Sequence, residues 1–257
     1  MRKEPFGVDD YVHVIKRGVR GLPIVRDEND RWRLLKILRH LNDEYTAERW
    51  EEDIQNLSAG KRERIFERSL SWPDESPLVG IAAHTLLSNH FHLLLRELQE
   101  GGVARFMQKL GNSMTGHYNL KYQESGSLFQ GAYRAKRVHD DDYFKYVAVY
   151  IMVKNTFELY PGGLRRAASE FDQAFVWASS YPFSSLGDYT SNSQVRPAKK
   201  ILTDTLVAES FDSPKDFKEF ARDCILGKVF EDIEPGDFFS EPEPIASAQV
   251  RPAKHSK

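Results

Sequence analysis

The order of periodic segments predicts an α+β fold built on antiparallel strands, and three observations carry that expectation. Residues 11 to 17 (YVHVIKR) alternate apolar and polar side chains, the period-2 signature of a half-buried strand. Two apolar runs, 78 to 87 and 90 to 96, are divided only by Ser88-Asn89, whose turn preferences join neighbouring strands in a hairpin. Val103, Phe106, Met107, Leu110, Met114 and Tyr118 then recur at three or four residues, which predicts a helix over 102 to 122.

The remaining elements follow in chain order. The first strand ends at Gly18, and Trp32, Leu35, Leu38 and Leu41 mark an amphipathic helix over 27 to 42 with Asp and Asn candidates for its N-cap. From 45 to 77 the chain is dense in charge and sparse in apolar positions, with a break at Ser58-Ala59-Gly60. It reads as a helical insertion closed by Trp72-Pro73 through Pro77. Ser125-Gly126 turns the chain into a strand expected over 127 to 138, and Asp140 caps a helix expected to run to Asn155. Beyond Pro161-Gly162-Gly163, helices are expected near 166 to 178 and 214 to 226. Acidic and proline residues from about 234 predict a disordered tail. The domain reading is therefore a first domain over 1–163 that carries the insertion at about 45–77, a helical extension over 164–233 and a tail over 234–257. The hexapeptide QVRPAK occurs at 194 to 199 and again at 249 to 254, and nothing physical accounts for it.

Composition narrows the function classes. A chain of 257 residues, 40% hydrophobic and 29% charged, can bury a sizeable core. No run approaches about 18 consecutive apolar residues, and MRKEPFGVDDYVHV has no apolar segment before its first charges, so a cytoplasmic chain without membrane contact is expected. Cys224 is the only cysteine, which excludes disulfide frameworks and cysteine metal clusters. The net charge of −2 argues against nonspecific coating of nucleic acid. Charge is segregated, however: between 101 and 139 Arg105, Lys109, Lys121, Arg134, Lys136 and Arg137 stand against Glu124 alone.

Two patterns carry chemistry. In a strand, His90 and His92 point to one face and Phe91 and Leu93 to the other, so the imidazoles converge as a metal site requires. An isolated His-x-His equally fits two histidines sharing a hydrogen-bonded strand face. Tyr143, Tyr146 and Tyr150 form a stripe at helical spacing, which fits core packing as well as catalysis. A phenol of pKa about 10 can attack phosphorus when its anion is stabilised, and a divalent cation helps by drawing charge from the phosphate oxygens.

Four motifs in one order resolve these alternatives. LLSNHFHLLL resembles the NHxHLLL signature of the HUH transposases, LFQGAYRAK resembles that family's LFQGRYKA strand, and HVIKRG at 13 to 18 is similar to its HVTNRG. HDDDYFKYVAVYIMVKN resembles the acidic start and nucleophile helix, with the seven-residue step from Tyr143 to Tyr150 and Tyr150-Ile151 in place of the family's Tyr-Ile. The chain thus resembles the single-tyrosine HUH transposases, and among them the REP-associated tyrosine transposases, over roughly residues 11 to 160.

The resemblance implies an α+β, ferredoxin-like domain with a central antiparallel sheet, helices on one face, and a C-terminal helical extension. It implies cleavage and strand transfer of single-stranded or hairpin DNA through a 5′-phosphotyrosine on Tyr150, with Mg²⁺ or Mn²⁺ held by His90 and His92; a homodimer is a candidate assembly. The family commonly places Asn four residues after the nucleophile as a further metal contact, where this chain has Lys154. Asn155, after a local helix adjustment, or Glu158 could take that place, and Lys154 is expected to stabilise the tyrosinate or the scissile phosphate. Arg105, Lys109, Arg134, Lys136 and Arg137 are the expected phosphate contacts. The competing expectations are a DNA-binding protein of the same fold with altered catalysis, and a metal-dependent phosphoesterase using water.

Overall fold

Strand β1 (Tyr11–Arg17), helices α1 (Glu28–His40) and α2 (Trp50–Ser58), the hairpin β2 (Val79–Leu86) and β3 (His90–Glu97), helix α3 (Gly102–Tyr122) and strand β4 (Arg134–Val138) make up the first half of the molecule. All strand pairs are antiparallel, in the order β2-β3-β1-β4. With α1 after β1 and α3 after β3, this is the βαββαβ arrangement of a ferredoxin-like domain. The computed structural model describes residues 5–190 and 196–227, so the acidic tail and the second QVRPAK copy lie outside the described residues.

Local chemistry fixes most boundaries. Asp27 caps α1 by accepting from Asp30 N at 2.9 Å, and Asp30 accepts in return from the N-cap backbone, a reciprocal box worth about 1 kcal/mol. Asp140 caps α4 (Asp141–Val149) by a single bond, its side chain accepting from Tyr143 N at 2.7 Å. The insertion carries the short α2, ended by Ala59 and Gly60 at φ 46° and 78°, and a single 3-10 turn (Arg62–Arg64). Gly18 is required where β1 turns away, because a Cβ there would lie 2.1 Å from the Leu22 carbonyl oxygen.

Helices α1 and α3 cover one face of the sheet, and α4 with the residues after it lies across the other. Every residue of β2 is buried, so neither side of the sheet can be left to water, and the apolar residues on each side need a cover. On one side Val12, Val14, Phe91, Leu93 and Leu95 join α1 and α3 in a core with Leu35, Phe106 and Leu110. On the other, Ala83 and Leu94 join α4 and the residues after it.

The strand expected over 127 to 138 is shorter. Before Arg134 the chain makes only one bridge, Gly18 to Phe129, with Leu128 and Phe129 buried as anchors. Beyond α4 come a π turn (Tyr150–Lys154), α5 (Asn155–Phe157), α6 (Gly163–Ser169), α7 (Phe171–Ser180), α8 (Leu186–Thr190), α9 (Leu206–Glu209) and α10 (Pro214–Leu226). The helix expected near 166 to 178 is two, broken at Glu170 (φ −111°, ψ 38°). This extension closes the exposed edge of β2: Leu86 N donates to Phe183 O (2.9 Å), Ser185 N to His84 O (3.0 Å) and Thr203 N to Ile81 O (3.1 Å). Covering an edge strand satisfies its backbone groups and removes a template for aggregation. Among the described residues no helix is long and apolar enough to cross a membrane.

Candidate active site

The centre of the sheet sets the site. In the β1–β3 ladder Ile15 faces His92 and Arg17 faces His90, and directly opposed residues share a face. His13, Ile15, Arg17, His90 and His92 therefore lie on one side, while Val12, Val14, Phe91 and Leu93 fill the core on the other. Tyr150 descends on the histidine side at the end of α4. Its ring centroid is 5.7 Å from that of His92 and 5.7 Å from that of His13, edge-on to both.

The two histidines of the His-x-His are held in different ways. His90 Nδ1 lies 2.7 Å from Asn89 Oδ1, and Asn89 Nδ2 donates to Gly21 O at 3.1 Å. The second bond fixes the amide orientation, so it is His90 Nδ1 that carries the proton and Nε2 the lone pair. His92 Nδ1 is 2.8 Å from His13 Nε2, and the His90 and His92 rings are 5.0 Å apart. Metal-ligating histidines commonly present one nitrogen to the ion and bind a partner through the other.

Electrostatics keep this cluster neutral. Burial, then the charge of Lys136, pushes His13 down to about 3. Burial pushes His92 well below the ordinary imidazole value, and His13, His90, Lys154 and Arg17 act in the same direction. Neutral imidazole is the form that ligates a cation, and a positive surround suits an anionic substrate.

The departure at position 154 has a structural counterpart. Residues Tyr150–Lys154 form a π turn, in which Asn155 N donates to Tyr150 O, five residues back. One extra residue per turn places Asn155 a single turn above Tyr150, where residue i+4 stands in an α-helix. Asn155 is fully buried and its Nδ2 has no hydrogen-bond partner among the described residues. Lys154 is rotated aside, its ammonium 5.0 Å from the Tyr150 ring centroid and paired with Glu158. Among the described residues no group of three or more His, Cys, Asp and Glu is placed to hold a metal. A divalent cation bound here would have His90, His92 and the Asn155 carboxamide as candidate donors, two imidazole nitrogens and one amide oxygen, while Glu158 is engaged by Lys154.

The tyrosine stripe divides by burial. Tyr146 is buried in the core and its phenol is pushed far up by desolvation. Tyr143 stacks on His139 at 5.0 Å, and Tyr150 meets His13 and His92.

The five basic residues are dispersed. Arg134 and Lys136 oppose Ile15 and His13 in the β1–β4 ladder and so share the histidine face. Arg137 opposes Val12 and pairs with Asp10 at 2.7 Å. The structure does not bring Arg105 and Lys109 to the site, because α3 lies against the other face. Arg105 Nη2 donates to Gln99 Oε1 at 2.7 Å. Lys109 donates to the Asp43 carbonyl, to Glu44 O at 3.1 Å and to Thr46 Oγ1 at 2.8 Å, tying down the loop after α1. Sequence reasoning passed over His13 and Arg17, although their place in β1 at period 2 with Tyr11 put both on one face.

No family model matches the chain, and no curated protein matches it. Among solved structures it is similar to a REP-associated tyrosine transposase bound to a REP hairpin, at 11% identity over 77% of this chain and 88% of that chain, with a TM-score of 0.40.

Proposed function

We propose that this chain cleaves and rejoins single-stranded DNA at a hairpin or palindromic end, with Tyr150 as the nucleophile. The observation that carries the reading is the contact of the Tyr150 ring with the His92–His13 pair, at the start of a π turn that brings Asn155 into register. The motif resemblance over residues 11 to 160 supplies the reaction class.

The chemistry balances without an external energy source. The Tyr150 phenol loses its proton and its oxygen forms a bond to phosphorus as the bond from phosphorus to the 3′ oxygen breaks. The 3′ oxygen leaves as a hydroxyl, and the 5′ side stays on the tyrosine as a phosphodiester, so the step can reverse. A divalent cation on His90, His92 and Asn155 would draw charge from the phosphate oxygens. Lys154, beside the phenol, favours its anion and the incoming phosphate. Arg17, Arg134 and Lys136, on the histidine face, meet the flanking phosphates.

The test is a denaturing gel of the protein with labelled hairpin DNA, with and without Mg²⁺ or Mn²⁺. A metal-dependent covalent adduct is expected for the native sequence and none for Tyr150→Phe. Cleavage that survives Tyr150→Phe would move the reading to a phosphoesterase using water, and binding with no cleavage to a DNA-binding protein of altered catalysis.

A further inference from the structure

The two histidines of the proposed metal site have unequal claims to being ready for a cation. For His90 the question is settled locally: Asn89 Oδ1 can only accept, so Nδ1 carries the proton and Nε2 the lone pair. For His92 the partner is another imidazole, which can donate or accept. If His13 donates from Nε2, His92 is protonated at Nε2 and cannot ligate there. If His13 accepts, His92 has its proton on Nδ1 and its lone pair on Nε2. The second state is the less populated tautomer of a solvent-exposed histidine side chain, so something has to select it.

We propose that His13 is the positioning residue of the site: it accepts the Nδ1 proton of His92 and so fixes His92 in the tautomer that presents Nε2 to a divalent cation. This rests on the metal-dependent reading above and names a residue that the His-x-His pattern does not contain. The geometry supports it. His13 is 1% exposed, comes from the neighbouring central strand, and its ring lies within 25° of the His92 plane with centroids 5.1 Å apart, the edge-to-edge placement of an in-plane hydrogen bond, while it meets Tyr150 edge-on. The same ring that sets the tautomer thus also limits how Tyr150 can approach. His13 does for His92 what Asn89 does for His90, from 79 residues away in sequence.

The proposal separates shape from hydrogen bonding. His13→Phe keeps a flat ring and removes the acceptor, whereas His13→Gln places an amide oxygen near the former Nε2. Mn²⁺ affinity, read from the electron paramagnetic resonance of the unbound ion, is expected to fall about 10- to 100-fold in His13→Phe, the usual range for loss of an outer-shell partner, and to recover largely in His13→Gln. Nitrogen-15 spectra of the unsubstituted protein, which need no variant to fold, are expected to show His92 protonated at Nδ1 with Mg²⁺ present. Equal affinity in His13→Phe overturns the assignment and leaves the metal reading standing, whereas a His92 proton on Nε2 in the Mg²⁺-loaded protein overturns the assignment and also removes His92 from the metal site. Mn²⁺ binding indifferent to His90→Ala and His92→Ala overturns both.

Discussion

The two faces of the central sheet are written by alternate residues of the same strands, yet they are built for different ends. On the α1/α3 face β3 contributes Phe91, Leu93 and Leu95, and β1 contributes Val12 and Val14, all essentially inaccessible. On the opposite face the same two strands contribute His90, His92 and His13, equally buried. Burial alone therefore does not tell core from site. What differs is the way the cost of burial is met: dispersion and the hydrophobic effect on one face, and hydrogen bonds between neutral imidazoles and a side-chain amide on the other.

Substitutions at adjacent positions should separate the two. Phe91→Ala empties a fully buried ring site that touches Phe129, and unfolding in urea is expected to show a loss of about 3–5 kcal/mol. Tyr150→Phe, on the other face, removes one hydroxyl from a half-buried ring and should unfold at nearly the native midpoint while forming no adduct. If Phe91→Ala were mild and Tyr150→Phe severe in unfolding, the division of labour between the faces would be wrong.

A second contrast concerns histidines on the core side. His84, opposite Leu93 in the β2–β3 ladder, is buried, and desolvation followed by the charge of Arg196 pushes it down to about 3. Its folded pKa lies below the unfolded one, so the native state holds the neutral form. The associated stability is complete above about pH 6.5 and is lost as pH falls toward 3, because the unfolded chain takes up a proton that the native one refuses. The slope from this one group is about 1.4 kcal/mol per pH unit. Asp188, raised by burial to about 6, has the opposite sign between pH 6 and the ordinary carboxylate range, while buried His13, His40 and His92 act in the same direction as His84, so His84 is read from the change in slope on substitution. His84→Met should flatten the pH dependence of the unfolding free energy by about that one-group slope. An unchanged slope would mean that His84 is not buried neutral.

These contrasts also mark what sequence could convey. Period 2 in YVHVIKR and in the hairpin, and period 3.6 over Gly102–Tyr122, are direct readings of burial, and those elements are found where the pattern puts them. Patterns between elements were less legible. That the edge of β2 would be closed depends on residues 183–185 and 203–204, more than 90 positions away, and so this cover was not legible in the sequence. The run of basic residues from Arg105 to Arg137 looked like one surface because it is continuous in sequence. A helix on one face and a strand that alternates between faces divide it in space. The departure at position 154 was visible as a letter and a local helix adjustment was one expectation from it, while the form that adjustment takes, a π turn over Tyr150–Lys154, is a backbone event that no side-chain pattern encodes.

Lys154 sharpens the comparison within one helix. Its ammonium lies near the Tyr150 ring and is also held by Glu158, so its field at the phenol is partly offset. Lys154→Met should slow adduct formation by about 10-fold, consistent with a loss on the order of 1 kcal/mol for a partly screened cation beside the ring, with little change in unfolding midpoint. A rate equal to the native one would assign the lysine to the ion pair with Glu158 alone.

The smallest expected effect is the most direct reading of where DNA lies. Arg134 and Lys136 share the histidine face, whereas Arg105 and Lys109 are occupied by Gln99, Glu44 and the loop after α1. Each phosphate contact to a single strand contributes about 0.7 to the slope of log affinity against log salt. Replacing Arg134 and Lys136 together by Gln should therefore flatten that slope by about 1.4, and the same change at Arg105 and Lys109 should leave it in place. The reverse result would put the strand on the α3 side, away from Tyr150, and would break the link between the basic surface and the tyrosine.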